Sequence, residues 1–200
     1  MRVSPVVLSL VLLAGMSSAE ATTRRVPPPP PPPVVAPPPP TVPVETGLAA
    51  FRDVVSVLQS PRCQNCHPAG EAPLQTDQSL PHSMGITRDS PRVGVDCATC
   101  HRPVGLGLPN TPPANPHWHM PPASQVFEGR TAAALCAQLK DPASTGGRDL
   151  AALRAHVAED PLVLYGWEPG GERTTPPLSH ADFVRRFGEW VDAGAPCPTP

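Results

Sequence analysis

Apolar residues recur at helical spacing in four stretches of the chain. Leu48, Phe51, Val54, Val55 and Leu58 follow the i, i+3, i+4, i+7 pattern and predict an amphipathic helix that Pro61 ends. Thr131 is placed to cap a helix through Leu135 and Leu139 to Lys140, stopped near Pro142. Asp149 is placed to cap another that carries Leu150, Leu153 and Val157. Ser179 with Asp182 resembles a capping box for a last helix bearing Phe183, Phe187, Trp190 and Val191, which Gly194 and Pro196 stop. Between 68 and 128, Pro and Gly recur too often for long regular elements, and no segment alternates apolar and polar residues as a half-buried strand would. The pattern predicts a mainly α fold with long irregular loops, in one domain spanning 46–200.

The residues before that domain read differently. Arg2 is a short basic region, Val6 to Gly15 an apolar run, and Ala19-Glu20-Ala21 a cleavage site of the A-x-A type. The apolar run is about half the ~20 residues a membrane span needs, so residues 1–21 are expected to be a signal peptide and not an anchor. Met16 stands where a lipid-attachment cysteine would be needed. A mitochondrial presequence would be Arg-rich and amphipathic, so export to a bacterial periplasm is expected. Residues 22–45 form a linker: twelve prolines fall between Pro27 and Pro43, a composition that favours polyproline II. At ~3.1 Å per residue those 17 residues reach about 50 Å, the dimension of a spacer.

The chemistry lies in two copies of Cys-x-x-Cys-His, CQNCH at 63–67 and CATCH at 97–101. This pentapeptide is the attachment motif of haem c. Its two thiols add to the porphyrin vinyl groups, and its histidine becomes an iron ligand. Cys63, Cys66, Cys97 and Cys100 are therefore expected to bind two haems covalently, with His67 and His101 as proximal ligands. Two alternatives fit less well. A zinc ribbon separates its cysteine pairs by roughly 15–20 residues and has no reason to follow both with histidine. A thioredoxin-like pair belongs in a βαβ pattern, which neither copy has. Of six cysteines, Cys136 and Cys197 remain, and an oxidising compartment predicts a disulfide between them. It would close a loop of 61 residues, worth roughly 4 kcal/mol in the chain-entropy model.

Each motif is followed by a Pro-His-x-Met-like segment, Pro81-His82-Ser83-Met84 and Pro116-His117-Trp118-His119-Met120. These supply the distal ligands. His82 leads for the first haem with Met84 as runner-up. For the second, His119 and His117 stand level, ahead of Met120. The pairing is also open to crossing, with each segment reaching the other haem. Bis-histidine ligation is favoured over His/Met, which would raise the reduction potential. Trp118 reads equally as porphyrin packing or ordinary core. His156 reads as a surface residue, and His180 takes no role. Four Phe, three Trp and one Tyr are few for a protein core, so two haems are expected to supply much of it.

The helix entering RCQNCHPAG and the closing FGEWVDAGAP resemble the first and last helices of small c-type cytochromes. The resemblance implies cytochrome c-like helices around two covalently bound haems, the two terminal helices packed across each other, and His67 and His101 on the irons. The second motif comes too soon for two tandem cytochrome domains. The layout is more like a compact dihaem cytochrome, such as the small dihaem subunit of periplasmic nitrate reductase. APLQ, CATCHR, PHWHMPP and DPLVLYGWEPG are also similar to exported proteins labelled isoquinoline 1-oxidoreductase subunits, over about 50–198. That likeness implies a periplasmic molybdenum hydroxylase as one redox partner. The expected function is carriage of single electrons between redox proteins. A dihaem enzyme of the peroxidase or sulfur-compound dehydrogenase type, with one open haem site, is the alternative. A formal charge of −2, made more negative by haem propionates, favours basic partner patches. Nothing in the chain forms a P-loop, a dinucleotide fingerprint or a basic array for nucleic acid.

Overall fold

The first helix, α1 (Val44–Leu58), begins directly after Pro43, whose carbonyl accepts the Gly47 N–H at 3.1 Å. It therefore starts two residues inside the stretch expected to be linker, because Pro43 suits a helix entry and Glu45 favours the first turn. The computed structural model describes residues 42–101 and 118–200. The expected signal peptide, nearly all of the proline-rich linker, and His117 lie outside the described residues.

The described residues are mainly helical. After α1 come the single-turn α2 (Pro61–Gln64), then α3 (Ala132–Leu139), α4 (Leu150–Glu159), the short α5 (Pro161–Leu164) and α6 (His180–Asp192). Three caps act as expected. Thr131 Oγ1 accepts from the Ala134 N–H, Asp149 Oδ1 from Ala152 at 2.8 Å, and Ser179 Oγ from Asp182 at 3.1 Å.

The main packing is α1 against α6, with α3 resting on α1 and α4 on α6. Phe51, Val54, Leu135, Phe183, Phe187 and Trp190 are the buried centre. Phe51 and Trp190 meet with ring centroids 4.8 Å apart, and Phe187 meets Trp190 edge-on at 5.3 Å. The closest approach is at Gly47, where a Cβ would stand 2.5 Å from that of Ala193 and 2.8 Å from the Pro196 ring. The Cys136–Cys197 disulfide is formed, tying α3 to the segment after α6. Lys140 Nζ donates to the Ala195 carbonyl at 2.9 Å and Trp190 Nε1 to that of Pro196 at 3.1 Å, so the same corner is held three ways.

One expectation is corrected. Leu74–Gln75 (β1) and Leu80–Pro81 (β2) pair antiparallel, with Leu74 opposite Pro81. Two residues per strand are too few for alternation to register in the sequence. The turn between them uses left-handed Thr76 (φ 66) and Ser79 (φ 52). Its Asp77 carboxylate pairs at 2.6 Å with the buried Arg62 guanidinium, so the ribbon is fastened beside α2. Among the described residues, no helix is long and apolar enough to cross a membrane.

Candidate functional site

The two Cys-x-x-Cys-His segments take the same local turn. The Cys63 carbonyl accepts from Cys66 N–H at 3.2 Å and His67 N–H at 3.1 Å; the Cys97 carbonyl accepts from Cys100 at 3.2 Å and His101 at 2.9 Å. Residues at i, i+3 and i+4 of a helical turn share one face. Each turn thus gathers two thiols and an imidazole on one side. Pro61 at the first position of α2 starts the first turn, and Cys63 packs on the helical core. The second turn, a 3₁₀ helix over Cys97–Thr99, lies in a more exposed segment.

His67 is held on three sides. Its Nδ1 lies 2.9 Å from the Gln125 carbonyl oxygen, to which it donates. Phe127 stacks on the imidazole with centroids 3.8 Å apart and planes 11° from parallel. The His67 carbonyl in turn accepts from the Phe127 N–H at 2.9 Å. Donation from Nδ1 to a carbonyl is the usual support of a metal-ligating histidine, because it fixes the tautomer that leaves the Nε2 lone pair free. Burial pushes the imidazole pKa down to about 4, which keeps it in the neutral, ligating form.

His101 is surrounded differently. Trp118 lies 5.4 Å away by ring centroids and itself meets Tyr165 edge-on at 4.8 Å. Its Nδ1 is buried with no hydrogen-bond partner among the described residues. Burial, then the neighbouring His82 and Arg173, hold its pKa below the ordinary histidine value. Of the distal candidates, His82 has its ring centroid 6.2 Å from that of His101 and its plane turned by 72°. His82 Nδ1 donates to the Ser83 carbonyl at 2.7 Å. Its backbone N–H donates to the Pro73 carbonyl at 2.8 Å, which sets it at the end of the ribbon.

The other distal candidates are spread out. Met84 is 83% exposed, with left-handed backbone at φ 66. His119 and Met120 line a cleft of about 120 Å³ with Pro73, Ile86, Arg88 and Cys97. That is below the ~300 Å³ of small-molecule sites, room for an edge of a porphyrin and not for its whole area. His156 is less exposed than its sequence context implied, its Nδ1 3.1 Å from Asp160 Oδ2. His180 Nε2 bonds the Val157 carbonyl at 2.9 Å, a structural tie between α6 and α4.

The four motif cysteines are free thiols, unlike Cys136 and Cys197. Burial pushes Cys63 up to about 12 and Cys66 up to about 11. Cys97 also raises Cys66, so the two motifs are near neighbours in space. A thioredoxin-like nucleophile would have its pKa lowered, the opposite direction. No three His, Cys, Asp or Glu side chains converge as a metal cage among the described residues.

Sequence reasoning missed Gln125 and Phe127. Gln125 acts through its backbone carbonyl, which has no residue signature, and Phe127 stands alone in a segment rich in proline and glycine. Compared with known proteins, the chain matches no family model, no curated protein and no solved structure.

Proposed function

We propose that this chain is an exported dihaem c-type cytochrome that carries single electrons between redox partners in a bacterial periplasm. The observation that carries the reading is the shared turn of the two motifs. Each brings two unpaired thiols and an imidazole to one face, and in the first the imidazole is already held in the ligating tautomer by Gln125. Cys63 and Cys66 would hold one haem c, with His67 on its iron; Cys97 and Cys100 would hold the other, with His101. Bound haem would supply an iron that alternates between the ferrous and ferric states. The protein's own part is to hold each imidazole neutral and oriented, to bury the attachment thiols, and to keep the two motifs adjacent. His82, His119, His117, Met84 and Met120 are the pool of distal ligands. A distal ligand on both irons makes a carrier; one vacant position would make an enzyme. Redox proteins with basic patches fit the acidic charge, and a periplasmic molybdenum hydroxylase is the partner class that the likeness to isoquinoline 1-oxidoreductase subunits implies.

The test is expression with a haem c maturation system, followed by intact mass and absorption spectroscopy. Two covalent haems, low-spin in both redox states and indifferent to carbon monoxide and peroxide, are expected. A haem-free chain would overturn the cytochrome reading. A high-spin band with peroxide turnover would overturn the carrier in favour of the enzyme.

A further inference from the structure

His82 follows the first motif in the chain, yet in the fold it stands beside the histidine of the second. An imidazole nitrogen sits about 2 Å from a bound metal and about 1 Å from its own ring centre, so two imidazoles on opposite sides of one iron have centres about 6 Å apart. The His82 and His101 centroids are 6.2 Å apart. Their 72° interplanar angle is compatible with this arrangement, since each ring is free to turn about the shared ligand axis. Directly packed aromatic rings also span 4.5–7 Å, so the distance needs support.

Two further observations supply it. The His82 Nδ1 donates to a backbone carbonyl, that of Ser83, as His67 does to Gln125. This is the outer hydrogen bond a ligating histidine needs, and it leaves Nε2 free. And His82 is set by the ribbon through its own N–H bond to Pro73, on a turn that the Arg62–Asp77 pair fastens beside the first motif.

From these we propose that ligation is crossed: His82 is the distal ligand of the second haem, opposite His101, and not of the first. The proposal rests on the dihaem reading above. The first haem's distal ligand then comes from the remaining candidates, His117, His119, Met84 and Met120. Crossing makes the ribbon a strap between the two haems. The residue that follows the first attachment site completes the second.

The holo-protein provides the test. His82→Ala should convert one haem of the two from low to high spin in the electron paramagnetic resonance spectrum, and added imidazole should restore it. To learn which haem responds, the same substitution is made with Cys63→Ser and Cys66→Ser, and separately with Cys97→Ser and Cys100→Ser. The first background retains the second haem and should go high-spin; the second retains the first haem and should not change. The reverse pattern overturns crossing. Should the single-haem backgrounds fail to fold, proton nuclear magnetic resonance of the intact dihaem protein decides. The hyperfine-shifted His82 ring signals, identified by their loss in His82→Ala, should show cross-relaxation to the haem bridged by Cys97 and Cys100. Cross-relaxation to the haem bridged by Cys63 and Cys66 overturns the proposal. A preparation carrying no haem fails the functional reading instead, and the haem count separates the two failures.

Discussion

The His156 imidazole faces the Asp160 carboxylate at 3.1 Å, one turn along α4, yet burial holds its pKa below the ordinary value of 6.5. The ion pair opposes that shift and does not cancel it. The sign follows directly. With the folded pKa below the unfolded one, the unfolded chain binds the proton first. The contribution of His156 to stability is therefore present above about pH 6.5 and is lost as the pH falls below it. His156→Gln should flatten the dependence of stability on pH between about 5 and 7, read from urea midpoints across that range. The sequence marked His156 as a surface residue, because a histidine beside Arg154 on a helix carries no sign of what packs above it. The residues of each Cys-x-x-Cys-His motif stand together in the sequence, and the turn that gathers them is local, so their juxtaposition needs no long-range contact. The clasp of Gln125 and Phe127 around His67 was not legible, since it depends on a contact spanning 58 residues.

At the level of elements, the helices were legible where their signals are local. Thr131, Asp149 and Ser179 cap as their residue types require, and the apolar spacing of α1 and α6 matches the faces they bury. Ser179→Ala removes an acceptor for the Asp182 N–H and should cost about 1 kcal/mol, measured by denaturant unfolding. The approach of α1 to α6 at Gly47 was not legible, because one helix cannot announce how near another will come. Gly47→Ala tests it. In an isolated helix the change would help by up to ~1 kcal/mol. Here the new methyl group meets the Ala193 Cβ at 2.5 Å and the Pro196 ring at 2.8 Å, neither of which swings aside. Overpacking should win, with a net loss of about 1–3 kcal/mol in the same unfolding measurement. The β1–β2 ribbon escaped notice because four paired residues leave no periodicity to detect.

Over the whole molecule, the buried aromatics are gathered at one end. Phe51, Phe183, Phe187 and Trp190 close a core between the terminal helices without help from a cofactor. The segment bearing the second motif is thinly covered, with Val93 80% exposed. The described residues that the chain's own side chains cover least thus include the segment of the second motif. The disulfide closes the well-packed end. Cys136→Ala with Cys197→Ala should lower stability by roughly 4 kcal/mol if chain entropy governs the effect, seen as a fall in the urea midpoint. The raised thiol pKa values have a consequence for disulfide exchange. Six cysteines allow fifteen complete pairings. Only thiolates attack disulfides, and a thiol with a pKa near 12 is ionised in about one molecule in 10⁵ at neutral pH. Once folded, the chain thereby withholds Cys63 and Cys66 from disulfide exchange at neutral pH, and the Cys136–Cys197 bond is shielded from attack by them.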